Sequence, residues 1–375
     1  MRDLIARLAR RVQRQGGDER GAVVILVAML LGGGVLLGMG ALVVDVGLLY
    51  QERAELQNGA DAAAIGVAKS CALGACNPAV AVGYADANAS RLTGGTAGIS
   101  LVCGSMGMVS CPASSGTRTD CPPPPVGVNY VNVYTSTRTA SGSTLLPPVF
   151  AATLPGNSSY KGTTVRACAQ AEWGAPSAAT TVAVTTPACE WDQATQQGTS
   201  FAPAPPYPPS PLPLASFDQV LRLGAGSGSG CAGEPGGADG PGTFAWAAHP
   251  RGNCTLPISG ASFPGRTRTF VSFSCQQVLR NAQQNQTPIV VPVYVSVNTP
   301  SPTYILKGFA DFVVTGYHMP GFDGVSFDAP DWLNPQNSCT GSDYCLNGYF
   351  VRGVIPFTGS LGGTNLGVSV INLTG

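Results

Sequence analysis

The chain has 375 residues, room for one or two ordinary domains, and its formal net charge is zero with only 11% of residues charged. That balance excludes the basic footprint on which nucleic-acid binding depends, so no nucleic-acid partner is expected. Gly (49) and Pro (31) are too frequent for a protein built from long helices, yet 44% hydrophobic residues supply ample surface for a core, so short strands and turns are expected.

The first twenty residues carry Arg2, Arg7, Arg10, Arg11, Arg14 and Arg20 against Asp3, Asp18 and Glu19. Ala22–Val44 then runs for 23 residues without a charge or a Pro. As a helix it would span about 35 Å, enough for a hydrocarbon core of about 30 Å. With the arginines before it and no basic residue after it until Arg53, the positive-inside rule keeps the N-terminus in the cytoplasm. The expectation is a cytoplasmic tail over 1–20 and a retained transmembrane helix over 21–49. A cleaved signal peptide ending near Gly38-Met39-Gly40 is the alternative, but its apolar core would exceed the usual length of about 7–15 residues.

The helical pattern continues beyond the apolar run. Leu42, Val46, Leu49, Arg53, Leu56, Ala60, Ala63 and Val67 share one face at spacings of four and three, while Gln51, Glu52, Glu55, Gln57, Asn58 and Asp61 fall elsewhere. A helical stalk is therefore expected over 50–73. Its stripe needs a cover, either the chain's own outer region or a helical partner.

All twelve cysteines follow residue 70, at 71, 76, 103, 111, 121, 168, 189, 231, 254, 275, 339 and 345. Their confinement to the side assigned to an oxidising compartment points to disulfides, with Cys71/Cys76 and Cys339/Cys345 as short-loop candidates. Zinc is the poorer reading, because no Cys-x2-Cys occurs and His249 and His318 are the only histidines. Thr164–Trp173 alternates Val165, Ala167, Ala169, Ala171 and Trp173 against Arg166, Gln170 and Glu172, the pattern of a half-buried strand. Pro288–Asn298 and Tyr304–Tyr317 read as β-branched and aromatic strands, Pro292 marking an edge or a bulge. Ser216–Leu223 and Cys275–Ala282 read as short helices. Ala202–Pro213 must be largely extended, either a semi-rigid linker between two domains or a long loop inside one. The division expected is two β-rich extracytoplasmic domains over 74–200 and 216–375, joined by a Pro-rich linker over 201–215.

Catalytic signatures are missing. No Gly-x-Ser-x-Gly elbow, His-Glu-x-x-His pair or phosphate loop occurs, and neither histidine is tied to a nucleophile. The carboxylates of Asp323, Asp328 and Asp331 match no EF-hand spacing. No enzymatic activity, cofactor or metal is expected.

Arg20-Gly21-Ala22, the apolar run, Val43-Val-Asp45-Val-Gly47-Leu-Leu-Tyr50 and Glu55-Leu56-Gln57-Asn58-Gly-Ala60-Asp61-Ala62-Ala63-Ala64 together resemble the N-terminal module of TadE/TadG-like Flp pilus-assembly proteins. Trp173-Gly174, Cys189-Glu-Trp-Asp192, Gly308–Tyr317 and Cys339–Cys345 are similar to actinobacterial TadG-related proteins. The resemblance implies an accessory or minor component of tight-adherence pilus machinery in the cell envelope, with other pilus-assembly proteins as partners. Pilin-like members carry a Glu early in the apolar run; residues 21–44 hold none, which implies an unprocessed, TadG-like anchor. The expected architecture is a single N-terminal transmembrane α-helix extending into a stalk helix, followed by a mainly β, disulfide-rich extracytoplasmic region. An anchored surface binding module, an adhesin or a cell-wall-binding protein, is the alternative function.

Overall fold

The structure is a computed structural model that describes residues 19–32, 35–89, 96–114, 116, 120–151, 159–205, 217–222, 245–250, 253–266, 272–298, 301, 303–319, 344–356 and 360–375. Helix α1 spans Glu19–Gly32 and α2 spans Val35–Ala72. Gly33 and Gly34 lie outside the described residues, as does nearly all of the basic tail expected over 1–20. Among the described residues no helix is long and apolar enough to cross a membrane.

Helix α2 runs for 38 residues, through the whole of the stalk-like pattern. It ends where Gly74 takes a φ of 88°, a left-handed conformation that glycine adopts without a Cβ penalty. The Gly74 amide donates to the Cys71 carbonyl and the Ala75 amide to that of Ser70, satisfying the last turn. A disulfide between Cys71 and Cys76 closes this turn.

The remainder is mainly β. Strands β1 (Thr96–Gly104), β2 (Asn129–Arg138), β3 (Arg166–Gly174), β13 (Gly353–Ile355) and β15 (Val368–Leu373) form one sheet in the order β1-β2-β3-β15-β13. A larger sheet has the path β6-β12-β11-β10-β5-β7, made of β6 (Gln219–Arg222), β12 (Cys345–Val351), β11 (Thr303–His318), β10 (Ile289–Asn298), β5 (Val184–Pro187) and β7 (Ala245–Trp246). Strands β9 (Ser262–Pro264) and β14 (Thr364–Asn365) also pair with β11. Strand β4 (Ala179–Val182) pairs with β8 (Thr255–Ile258). Three further short helices are α3 (Val80–Asn88), α4 (Ala188–Ala194) and α5 (Phe273–Asn285). Strands from before and after 201–215 thus share sheets: β4 pairs with β8, and β5 with β10.

Two compact units emerge from the chain. The first holds the described residues up to Gly59, with Ala85–Gly98 and Thr135–Ala167. The second holds Ala60–Tyr84, Ile99–Tyr134 and Cys168–Gly375. The core of the second is aromatic and β-branched: Tyr304, Phe309, Phe312, Tyr317 and Phe350 are buried with Val291, Val293 and Leu279. Tyr304 stacks on Phe263 and tilts against Tyr294, at centroid distances of 5.4 and 4.6 Å.

Four disulfides link described residues: Cys71–Cys76, Cys103–Cys111, Cys121–Cys168 and Cys254–Cys275. Cys189 and Cys345 are disulfide-bonded too, while Cys339, the suggested mate of Cys345, lies outside the described residues.

Several expected elements are altered. Strand β3 buries Ala167, Ala169, Ala171 and Trp173 as its alternation predicts, but Gln170 on the opposite face is buried as well. Its Nε2 donates to the Asn132 Oδ1 and to the Pro122 carbonyl, and its Oε1 accepts from the Thr374 hydroxyl. Gln219–Arg222, expected within a helix, is strand β6, because its backbone pairs with Cys345–Gly348 of β12. Pro292 is in an interior strand, and the register shifts follow it at Val293/Tyr294 and Tyr294/Ser296. The missing proline amide is tolerated beside that irregularity, and the Pro292 carbonyl accepts a 2.7 Å hydrogen bond from Thr185 Oγ1. Helix α5 forms as expected, with Ser272 as its N-cap accepting from the Cys275 amide.

Candidate interaction site on the N-terminal helix

Most of the motif residues fall on α2, and the structure gives them different environments. Arg20 and Gly21 open α1; a Cβ on Gly21 would meet nothing within 4 Å. Asp45 is half-buried, and its carboxylate accepts backbone hydrogen bonds from Val149, Phe150 and Ala151. Three amides converging on one carboxylate form a charge-assisted cluster. Gly47 is exposed with open space about it, and nothing in the structure explains why glycine stands there.

Further along the helix, packing takes over. Leu56 is buried and its carbonyl accepts a 3.0 Å hydrogen bond from Thr135 Oγ1. Ala60, Ala63, Ala64, Val67 and Ala68 are wholly buried, whereas Gln57, Asp61 and Ala62 are half-buried and Asn58 is exposed. Small side chains are required here: a Cβ on Gly59 would lie 3.1 Å from the Ala85 carbonyl, and one on Gly66 would collide with the Tyr84 ring. From Leu56 to Val67 the apolar stripe is therefore covered by the chain itself. Nearer the N-terminus, Leu42 and Val46 on the same stripe stay exposed.

Sequence reasoning missed Glu52 and Glu55. Both fall off the apolar stripe, yet both are buried. Burial raises the Glu52 carboxyl above its ordinary range, a hydrogen bond with the Thr137 side chain opposes this, and the charge of Glu55 adds to it. A helix covered on more than one side has no purely solvent-facing stripe, and only the partner strand reveals that.

Other polar groups lie in the larger sheet or beside it. Asp218 accepts a 2.6 Å hydrogen bond from Thr315 Oγ1, and burial pushes its carboxyl up to about 6 against that bond. Tyr349 is pushed up to about 12, first by burial and then by the Asp218 charge. Asp311 rises to about 6 through burial alone. Its signal was a lone acid amid Phe309-Ala310 and Phe312-Val313-Val314. His249 is buried in a loop with its Nε2 3.7 Å from the Cys275 Sγ, and His318 is half-buried at the end of β11. Among the described residues no group of three or more His, Cys, Asp or Glu is placed to hold a metal ion; Asp323, Asp328 and Asp331 lie outside them.

The class these features define is a helix-led, disulfide-bonded, mainly β protein whose N-terminal helix is half bare and half packed. The family model for the TadE/G-like Flp pilus-assembly domain, Tad, matches residues 21–70. That stretch takes in α1 from Gly21 and α2 as far as Ser70, including all the motif residues from Gly21 to Ala63. No curated protein and no solved structure gives a significant match to the chain. The match covers residues 21–70 of the 375 and likens that stretch to a Flp pilus-assembly TadE/G-like domain.

Proposed function

We propose that the chain is an accessory structural component of Flp/Tad-type pilus assembly, held in the bacterial cytoplasmic membrane by one N-terminal helix. Its N-terminus is cytoplasmic and its β-rich, disulfide-bonded region extracytoplasmic. The observation that carries this reading is the coincidence of the TadE/G-like match at 21–70 with a helix whose motif residues Leu56, Ala60 and Ala63 are buried.

The anchor is supported by the 23 uncharged residues Ala22–Val44, the six arginines before them, and the exposure of Val23–Val27 and Leu42–Val44. Disulfides throughout the region after residue 70 agree with an oxidising compartment. The absence of Glu from residues 21–44 supports an unprocessed, TadG-like anchor rather than a processed pilin. The partners are other pilus-assembly or envelope proteins and membrane lipid, and the chain carries out no catalysis.

Two measurements test this. Deleting the gene should reduce surface Flp-type fibres, with restoration by the full chain; unchanged fibre number refutes the assembly role. Protease shaving of wall-free cells should leave a protected N-terminal fragment ending near Tyr50. Full protection or full digestion refutes the topology.

A further inference from the structure

The segment Leu145–Ala151 follows a stretch of sequence logic that neither the fold nor the pilus role uses. No charged residue occurs between Arg138 and Lys161. Within that interval Leu145, Val149 and Phe150 are 40%, 51% and 43% exposed, an apolar cluster presented outward. An apolar loop tip in water usually leaves its backbone amides to solvent. Here every amide from Leu145 to Ala151 is satisfied by the protein or absent.

Leu145 donates to Ser143 Oγ, and Leu146 to the Thr163 carbonyl at 2.8 Å. Pro147 and Pro148 have no N–H to satisfy. Val149, Phe150 and Ala151 donate to the Asp45 carboxylate, Val149 at 2.8 Å and Phe150 at 3.1 Å. A backbone with no orphan donor and with outward apolar side chains suits a medium that offers no hydrogen bonds, since an unpaired amide in hydrocarbon costs several kcal/mol.

The location of the tether identifies that medium. Asp45 immediately follows the last residue of the uncharged Ala22–Val44 run, so the loop is held level with the end of the proposed span. On the helix beside it, Leu42, Val43 and Val46 are exposed. Their surface and that of Val149 and Phe150 belong to the same compact unit.

We infer that Leu145–Ala151 is a membrane-interface wedge: Leu145, Val149 and Phe150 enter the headgroup–acyl boundary of the outer phospholipid leaflet, and Asp45 is the positioning residue that holds them there. The inference rests on the anchored topology proposed above. It gives the motif carboxylate a role: its three amide donors offset the cost of a charge at the lipid boundary and fix the depth at which the outer region meets the membrane. A phospholipid surface is favoured over a protein partner because the segment presents no charged group and no free amide for specific pairing.

The test uses the full chain in phospholipid vesicles, with the photoreactive p-benzoylphenylalanine placed singly at Val43, Phe150 or Val126. Val126 is fully exposed and distant in sequence from both. Lipid adducts at 43 and 150 with none at 126 are expected. An adduct at 43 but not at 150 overturns the wedge and leaves the anchor standing. Absence at 43 overturns the anchor and the wedge with it. Photolysis in native membranes should again yield lipid at 150; a predominant protein adduct there overturns the choice of lipid. Asp45→Ala should abolish the adduct at 150 while preserving that at 43, and Asp45→Asn should retain part of it. An undiminished adduct at 150 in Asp45→Ala removes Asp45 from the device.

Discussion

Helix α2 presents two unlike halves. In the first, Leu42, Val43 and Tyr50 are exposed, the last two to about seven-tenths. In the second, Ala60, Ala63, Ala64, Val67 and Ala68 have no exposure at all. Both halves are apolar, so hydrophobicity alone does not separate them. Cover does: Leu42, Val43 and Val46 are exposed, whereas Gly59 and Gly66 stand where the Ala85 carbonyl and the Tyr84 ring come close. Bulky exposed side chains suit a lipid surround, while small buried ones suit packing against protein.

The sharpest way to break this comparison is to place the same charge in both halves. Ala63→Glu puts a carboxylate into a site with no exposure and no room, which should cost about 3 kcal/mol or more through unpaired charge and overpacking. Thermal melting of the disulfide-bonded region should fall steeply. Val43→Glu should leave that melting unchanged and instead impair membrane retention. Equal losses of melting temperature in the two variants would show that the halves do not differ as described.

That contrast was only half legible in sequence. Periodicity located the helix, the strand alternation of Ala167–Trp173 and the apolar runs that became β10 and β11. It could not show Glu52 and Glu55 buried; Glu52 meets Thr137 of β2, which is remote in the sequence. Alternation puts Gln170 on a polar face for the same reason; its partners Pro122, Asn132 and Thr374 are all distant in sequence. The helix expected at Ser216–Leu223 gave way to β6 because pairing with β12 outweighs a short local pattern. Of the motif residues, Ala60 and Ala63 were readable as packing positions, but the role of Asp45 required the loop at Val149–Ala151.

How dry the buried half is can be judged against β11, where Asp311 provides a reference. Its folded-state value of about 6 stands above the ordinary 3.8, so the native state binds more protons than the unfolded chain between those values. Its contribution is fully favourable below pH 4 and is lost as pH rises toward 6. Asp311→Asn should therefore gain on the wild type as pH climbs, by up to about 3 kcal/mol at neutral pH, with no gain at pH 4. Paired melting curves at pH 4 and 7 measure it, and a pH-independent difference would contradict it.

A smaller effect is expected at the far end of the packed half. The Cys71–Cys76 bridge closes a sequence separation of only five residues, for which chain-entropy reasoning gives about 2 kcal/mol. Replacing both cysteines by Ala should lower melting modestly and accelerate amide exchange in the last turn of α2, since the Leu73–Ala75 amides bond back to Lys69, Ser70 and Cys71. The Cys121–Cys168 bridge, with a separation of 47, should cost about twice as much when removed. A reversal of that order would mean that the short bridge carries more than loop closure.

The smallest effect is placed where the two halves join. Glu52 is raised by burial, as Asp311 is, but the Thr137 hydrogen bond works in the opposite direction. Its contribution to stability is complete at low pH and declines as pH rises through its raised folded-state value, because the charged form is the one burial penalises. Glu52→Gln keeps the shape and removes that charge. It should melt higher than the wild type at neutral pH and lose this advantage in acid, with a smaller gain than Asp311→Asn. Thr137→Val removes the opposing bond, so it should enlarge the gain that Glu52→Gln gives in its background. If Glu52→Gln instead lowers stability at neutral pH, the carboxylate is better solvated than its burial implies. The packed half of the helix would then begin after Glu52 rather than before it.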